Sequence, residues 1–184
     1  MTARPIIAFA AMLASVAGCT SPNTGATVTP EAPPQDEFPY VAQLMVHRCG
    51  TLDCHGSVYR NLRVYGDEGL RYSPNDPNAR PCIPASTTGD EVAQDYDSVV
   101  GLEPESLSTV VANHGADPES LTLIAKSTGL AAHQGGTLFH PGDDAYVCMT
   151  SWLAGSTNTT ACLDALPLKV CGLPAATSVD GGAP

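Results

Sequence analysis

The distribution of cysteines constrains this chain more than any other feature. Seven cysteines and five histidines occur in 184 residues, a combination that indicates disulfides, a bound metal or both. Cys19 stands apart, because it follows an apolar run over residues 6–17 and precedes a polar segment. An even number of remaining cysteines suits full covalent use in an oxidising compartment. These six are Cys49, Cys54, Cys82, Cys148, Cys162 and Cys171.

The N-terminal residues predict secretion and lipid attachment. The apolar run is shorter than the roughly 20 helical residues that a bilayer span needs. It ends in Val16-Ala17-Gly18-Cys19, which resembles the bacterial lipobox. The resemblance implies a lipoprotein signal peptide over residues 1–18 and acyl chains on Cys19, which would anchor the protein in the cell envelope. Thr20 in place of an Asp favours the outer membrane, on its periplasmic or its surface face. The alternatives are an ordinary signal peptide and a short buried helix.

Charge and proline content narrow the function classes. The net charge is −11, with 8 Lys and Arg against 19 Asp and Glu. A nucleic-acid surface or a polybasic membrane patch requires clustered cations, so this balance argues against both.

Residues 19–36 hold prolines among small and polar residues and predict a flexible tether. The folded domain is therefore expected to begin at Glu37.

Apolar spacing and helix-start residues predict a mainly α fold with long loops and little sheet. Helices are expected at residues 39–48, 89–100, 104–113, 118–126 and 144–153. Residues 61–65 form either a short strand or an extended arm, and a proline-rich loop follows over 66–89. The acidic residues of the second helix are interpreted as a solvated face; they are Asp90, Glu91, Asp95 and Asp97.

The sharpest chemical feature is Cys49-Gly50-Thr51-Leu52-Asp53-Cys54-His55. A c-type haem is attached through two thiols, and a His directly after the second Cys ligates the iron. The usual spacing has two residues between the cysteines, whereas here there are four. The same residues allow two other structures. One is a small disulfide loop between Cys49 and Cys54, and the other is a zinc site that adds His47 and His55.

Motifs further along the chain resemble a known family. After the Cys-His motif come Leu-Arg-Val-Tyr-Gly, Pro-Glu-Ser-Leu-Thr-Leu-Ile-Ala-Lys, His-x-Gly-Gly and an Asp-Asp-x-Tyr helix that carries Trp-Leu-x-Gly. Over residues 38–155 this is similar to the planctomycete-type cytochrome C group and its cytochrome c-like lipoprotein relatives. The resemblance implies a small helical domain in which the Trp helix packs near the haem-site helix.

The resemblance also implies a role for particular residues. Cys49 and Cys54 would carry thioether bonds to haem c, and His55 would be the proximal iron ligand. His133 of the His-x-Gly-Gly motif would be the sixth ligand, with Met149 as the alternative. The ligating nitrogens of two such imidazoles lie about 4 Å apart across one iron. Weaker candidates for the sixth ligand are His140, His114 and Met45.

Four cysteines remain for disulfides if haem takes two. Cys162 and Cys171 are expected to pair, because closing so short a loop costs little chain entropy. Cys82 would then pair with Cys148 and tie the proline-rich loop to the last helix. The domain organisation that follows is a signal peptide (1–18), a tether (19–36), a cytochrome c-like domain (37–155) and a disulfide-containing tail (156–184).

Three functions from different classes fit these patterns. The first is a membrane-tethered electron carrier, which binds one haem and a redox partner protein and makes or breaks no substrate bonds. The second is a haem-free, disulfide-stabilised lipoprotein that binds a glycan or a protein or serves a structural role. The third is an enzyme with peroxidase-like haem chemistry, which needs an open position on the iron. No hydrolase or phosphate-binding motif occurs in the sequence.

Overall fold

The computed structural model describes residues 30–73 and 87–167, and the fold of these two ranges is mainly helical. Only two isolated bridges, Thr51 with Gly69 and Tyr65 with Leu70, resemble strand pairing within them. The predicted α class is therefore confirmed. The helices are α1 (Phe38–Cys49), α2 (Gly89–Val100), α3 (Pro104–Ala112), α4 (Thr122–Ser127), α5 (Asp144–Leu153) and α6 (Thr159–Asp164), with a 3₁₀ turn at Pro118–Ser120.

Local chemistry explains where the helices begin. Prolines lie in the first turns of α1 and α3, where their missing N–H removes no helical hydrogen bond. At the start of α2, the Thr88 hydroxyl accepts from the Glu91 N–H, and the Glu91 carboxylate accepts from the Thr88 N–H. The predictions for α1, α2, α3 and α5 are confirmed.

The single helix predicted over residues 118–126 is wrong, because the chain breaks it into a 3₁₀ turn and α4. Leu121 lies between them with extended backbone, φ −81° and ψ 130°, and its side chain is buried. The Glu103 carboxylate accepts from both the N–H and the hydroxyl of Thr122, each at 2.7 Å. This contact starts a new helix at Thr122.

One disulfide joins α5 to α6 and corrects the predicted pairing. Cys148 bonds to Cys162, so the predicted pairs Cys162–Cys171 and Cys82–Cys148 are both wrong. The reason is α6, which the sequence patterns did not predict. Asn158 caps this helix through its side-chain oxygen, and α6 packs against α5 and α1. Residues 156–167 therefore belong to the domain rather than to a tail. Cys82 and Cys171 lie outside the described residues.

The core lies where α1, α5 and α6 meet. Phe38 contacts Trp152, with ring centroids 5.0 Å apart, and Tyr96, at 5.4 Å. The segment before α1 packs on this cluster: the Pro33 carbonyl accepts from the Tyr96 hydroxyl and the Pro34 carbonyl from Trp152 Nε1, both at 2.8 Å. Pro33 is fully buried.

The folded domain consequently begins before Glu37, and the predicted tether cannot extend to residue 36. The expected signal peptide and Cys19 lie outside the described residues. Within residues 30–73 and 87–167, no helix is both long and apolar enough to cross a bilayer.

The interpretation of α2 as a solvated acidic face is confirmed for Asp90 and Asp97, which are exposed, and wrong for Glu91 and Asp95. Glu91 and Asp95 are only 1% and 0% exposed. Glu91 forms an ion pair of 2.9 Å with Arg71 and accepts from the Tyr72 N–H at 3.1 Å. Asp95 accepts from the Tyr65 N–H at 2.6 Å. Backbone N–H groups from the segment after the Cys-His motif explain why these acids are inside.

Candidate functional site

The residues between Cys49 and Gly56 form a tight turn that brings His55 back to the first cysteine. The His55 N–H donates to the Cys49 carbonyl at 2.8 Å, and the Cys54 and Gly56 N–H groups both donate to the Thr51 carbonyl. A Cβ on Gly56 would overlap the Gly50 carbonyl oxygen, so this position requires glycine. The four residues between the cysteines are thus accommodated as a compact turn at the end of α1.

A backbone carbonyl orients the His55 ring. The Nδ1 atom of His55 lies 3.0 Å from the Leu62 carbonyl oxygen. Because a carbonyl only accepts hydrogen bonds, Nδ1 carries the proton and Nε2 keeps its lone pair. Burial is the main cause that lowers the pKa of His55, against the Leu62 hydrogen bond that raises it, and electrostatic interactions with His133, Arg60 and Lys126 lower it further. A neutral imidazole with a free Nε2 is the form that ligates a metal.

His133 is held in the same way on the loop that follows α4. Its Nδ1 lies 3.3 Å from the Gly136 carbonyl, and the Gly136 N–H donates to the His133 carbonyl at 3.0 Å. Gly136 has φ +70°, which favours glycine, and a Cβ on Gly135 would lie 3.0 Å from the His133 ring. The two glycines of the His-x-Gly-Gly motif therefore make the turn and leave room for the imidazole.

The two imidazoles face each other. Their ring centroids are 6.1 Å apart, and the ring planes differ by 18°. Two imidazoles that ligate one iron from opposite sides through Nε2, at about 2.0 Å each, have ring centres about 6 Å apart. The residues around position 55 and the loop around position 133 are separated by more than 70 residues of chain, yet the fold brings them to this separation.

A cavity of about 410 Å³ lies at this pair of histidines. Its volume falls in the range of roughly 300–1,000 Å³ that is typical of cofactor sites. Cys49 lines the cavity and Cys54, which is half-buried beside His55, does not. Apolar walls come from α4, from the segment before α3 and from the chain near the two histidines; they are Leu62, Leu102, Leu123 and Leu138.

Among the residues that the structure describes, Cys49 and Cys54 have no disulfide partner, and they are not bonded to each other. Burial raises the pKa of Cys49 to about 12, so its thiol is neutral at physiological pH. The zinc alternative needs four donors brought together, and the described residues contain no cluster of three or more His, Cys, Asp or Glu that could hold a metal. The structure therefore opposes a zinc site at His47, Cys49, Cys54 and His55.

The other candidate ligands lie elsewhere. Met149 is 2% exposed in the apolar core on α5, and Met45 is 1% exposed on α1. Neither methionine lines the cavity. His140 and His114 are exposed and do not line it either. Among the sequence-predicted sixth ligands, His133 is the one that the fold brings to His55.

Sequence reasoning missed three charged residues at the cavity. Arg60 and Lys126 line it together with Glu103. Arg60 is held by the turn, because its side chain donates to the carbonyls of Cys54 at 3.0 Å and Asp53 at 3.2 Å. An Arg five residues after the His was visible in the sequence, but nothing in its spacing indicated that it folds back.

Comparisons of the chain with protein-family models, with curated proteins and with solved structures find no match. The assignment of a function therefore depends on the site. Its donors are of the kinds that hold haem c: two thiols within one turn, of which Cys49 lines the cavity, and two nearly parallel imidazoles with ring centroids 6.1 Å apart.

Proposed function

We propose that this protein is an envelope-anchored electron carrier with one covalently bound haem c in a cytochrome c-like domain. The observation that carries the proposal is the pair of facing imidazoles, His55 and His133, with ring centroids 6.1 Å apart. Both rings have Nδ1 on a backbone carbonyl, so both offer Nε2. The alternative function, a haem-free lipoprotein stabilised by disulfides, does not require two imidazoles at this separation.

Each residue of the site has a distinct role in this proposal. Cys49 and Cys54 would hold the cofactor through thioether bonds, and His55 and His133 would ligate its iron. Haem c, when bound, supplies an iron that accepts and donates one electron by cycling between its ferric and ferrous states.

The protein contributes orientation, apolar contact and charge. The carbonyls of Leu62 and Gly136 fix the two imidazoles. Four leucines form the apolar part of the cavity wall, and the polarity around an iron centre is one of the means by which proteins adjust its potential. Arg60 and Lys126 place two cations at the cavity of a chain with net charge −11. If His55 and His133 both ligated the haem iron, no position on it would be open to a peroxide, which favours electron transfer over peroxidase-like chemistry.

The membrane anchor is the second part of the proposal and depends on the lipobox-like Val16-Ala17-Gly18-Cys19. Acyl chains on Cys19 would keep the domain close to redox partners in the envelope, with the outer membrane as its location. A Cys19→Ser variant is expected to leave the membrane fraction and appear in the soluble fraction. Unchanged membrane retention of this variant would refute lipid anchoring.

Haem attachment is tested with the full chain produced in a bacterium that has an active system for c-type haem maturation. The purified, detergent-solubilised protein is expected to carry one haem per chain that survives denaturing electrophoresis. In Cys49→Ala or Cys54→Ala one thioether is lost, and the pyridine haemochrome spectrum should shift accordingly. The double variant should carry no covalent haem.

A matched control lies within the same turn. Leu52 is 68% exposed between the two cysteines, and Leu52→Ala is expected to keep the full haem content. If the wild-type chain from this host carries no haem and contains a Cys49–Cys54 disulfide on peptide mapping, the electron-carrier proposal fails. The haem-free binding or structural lipoprotein is then the function to pursue.

A further inference from the structure

The segment from Leu62 to Tyr65, here called the arm, lies between the His55 turn and helix α2. Successive residues of the arm form backbone hydrogen bonds to the His55 turn on one side and to α2 on the other. The Leu62 carbonyl accepts from His55 Nδ1 at 3.0 Å, and the Val64 N–H donates to the His55 carbonyl at 3.0 Å. These two groups hold both the ring and the backbone of His55.

The opposite edge of the arm is bound by side chains of α2. The Arg63 N–H donates to the Ser98 hydroxyl at 2.8 Å, and the Tyr65 N–H donates to the Asp95 carboxylate at 2.6 Å. Alternate residues of extended backbone point their N–H and C=O groups to opposite sides. The arm is therefore a two-sided connection between α2 and His55.

Asp95 is an unusual residue for a purely structural contact. It is 0% exposed, and within the described part of the chain its Oδ2 atom has no hydrogen-bond partner. Burial is the main cause that raises the pKa of Asp95, to about 8. Burying a carboxyl group with one unpartnered oxygen costs stability, and an apolar residue would pack here without that cost.

We infer that Asp95, with Ser98, is a positioning residue for the His55 ligand: the two α2 side chains fix the arm, and the arm presents the Leu62 carbonyl that sets the His55 tautomer and ring orientation. Asp95 and Ser98 would thus orient a ligand that they do not touch, through the backbone that lies between. The role in iron ligation rests on the proposed function, whereas the hydrogen-bond chain itself exists without the cofactor.

The first test uses the full-length, haem-free Cys49→Ala/Cys54→Ala chain and the ¹⁵N chemical shifts of its histidine rings. His55 is expected to carry its proton on Nδ1. Adding Asp95→Ala removes the acceptor of the Tyr65 N–H, and His55 should shift towards the Nε2–H tautomer that free imidazole prefers. The Val64 amide should exchange with solvent roughly five- to tenfold faster, since one hydrogen bond weakens.

Two further variants separate positioning from general stability. Asp95→Asn keeps an oxygen for the Tyr65 N–H and should restore the Nδ1–H tautomer. Glu91→Gln is the matched control: Glu91 lies one turn earlier on α2 and is equally buried, but it contacts Arg71, Tyr72 and Thr88 rather than the arm. It should lower stability and leave the His55 tautomer unchanged.

Ser98→Ala decides the outcome if Asp95→Ala fails to fold, because it removes the second arm contact from a less buried position. A smaller shift in the same direction is expected for His55. If His55 keeps the wild-type tautomer in every folded variant, or shifts as much in Glu91→Gln as in Asp95→Ala, the positioning role is refuted.

In the haem-loaded protein, Asp95→Ala should also change the low-spin ferric EPR spectrum and the reduction potential, while Asp95→Asn stays close to wild type. A protein that lacks haem altogether defeats the proposed function and leaves the tautomer test valid. If the protein binds haem and Asp95→Ala changes neither its EPR spectrum nor its reduction potential, the positioning role is refuted and the proposed function is not.

Discussion

Two regions of this molecule differ in packing: one is a tightly packed core with a disulfide, and the other surrounds a cavity. The disulfide region consists of residues 30–37 with α1, α5 and α6, and it buries Phe38 and Trp152 around a Cys148–Cys162 bond. The histidine region consists of residues 49–65 and 122–138, and it holds a cavity of about 410 Å³, two free thiols and two facing imidazoles. The first region is packed around aromatic side chains and a covalent bond, and the second is built around a cavity lined by both imidazoles.

Because the two regions share helix α1, we expect the disulfide region to support the histidine region. α1 belongs to both, because its first turn carries Phe38 and its last residue is Cys49. A covalently braced core at one end of this helix supports the cavity at its other end. Variants of the two regions should therefore differ: changes in the disulfide region lower stability, and changes in the histidine region alter ligand binding at nearly constant stability.

The largest loss of stability is expected for Trp152→Ala. Trp152 is fully buried, contacts Phe38 and donates from Nε1 to the Pro34 carbonyl. Its removal should lower the free energy of unfolding by about 3–5 kcal/mol, measured by urea denaturation. Tyr59→Ala is the control, since Tyr59 is 92% exposed and its loss should change stability by less than about 0.5 kcal/mol. Equal effects of the two variants would contradict the assignment of the core.

Loss of the disulfide should have the next largest effect. The cysteines are separated by 14 residues in the chain, and a loop of this size corresponds to about 3 kcal/mol of stabilisation in the chain-entropy view. The Cys148→Ala/Cys162→Ala variant should lose about this amount in urea denaturation and keep the His55 tautomer of the wild type. A variant that is as stable as the wild type would refute a supporting role for this bond.

Most helices of this fold could be predicted from the sequence. The missed helix α6 and the wrong disulfide pairing have the same cause, which is the shortness of α6. α1, α2, α3 and α5 carry strong local signals, such as a first-turn proline or a capping box. α6 has only six residues and buries only Ala161 and Cys162 among them, which is too little for a periodic pattern. Without this helix, short loop closure favoured the wrong partner for Cys162.

For the site too, local motifs could be predicted from the sequence and long-range contacts could not. The Cys-His and His-x-Gly-Gly motifs singled out His55 and His133, which the fold brings together, because those signals are local. The burial of Glu91 and Asp95 could not be predicted, since their partners are backbone N–H groups of residues 65 and 72 that the sequence does not distinguish. The orienting Leu62 carbonyl is invisible for the same reason. Every residue type has such a carbonyl, and only the fold selects one.

A dependence of stability on pH is expected from Asp95. Burial raises its pKa from 3.8 to about 8, with the charge of Glu91 as a further cause. Between these pH values the unfolded chain releases the proton that the folded protein keeps, so stability should fall as the pH rises from about 4 to about 8 and then level off. The neighbouring groups are Glu91, Arg71, Tyr65 and Tyr72.

The contribution of Asp95 is isolated by comparing wild type with Asp95→Asn over this pH range. The difference in unfolding free energy should grow in favour of the Asn variant as the pH rises, by a few kcal/mol in total. A constant difference from pH 4 to 8 would mean that Asp95 does not titrate in this window.

The smallest effect on stability is expected for His133→Ala in the haem-free chain. His133 is half-buried on a loop, and its removal should change the unfolding free energy by less than about 0.5 kcal/mol. The matched control is His140→Ala, a histidine on the same loop segment that does not line the cavity. A loss of several kcal/mol in His133→Ala alone would assign His133 to the core instead of the ligand site.

The most direct test of the paired-histidine site is the axial ligation of the haem-loaded ferric protein, read from its EPR and near-infrared magnetic circular dichroism spectra. The wild type and His140→Ala should both give the low-spin signature of two imidazole ligands, and His133→Ala should become high-spin. A His/Met signature in the wild type, or a low-spin bis-imidazole spectrum that persists in His133→Ala, would contradict the pairing of His55 with His133.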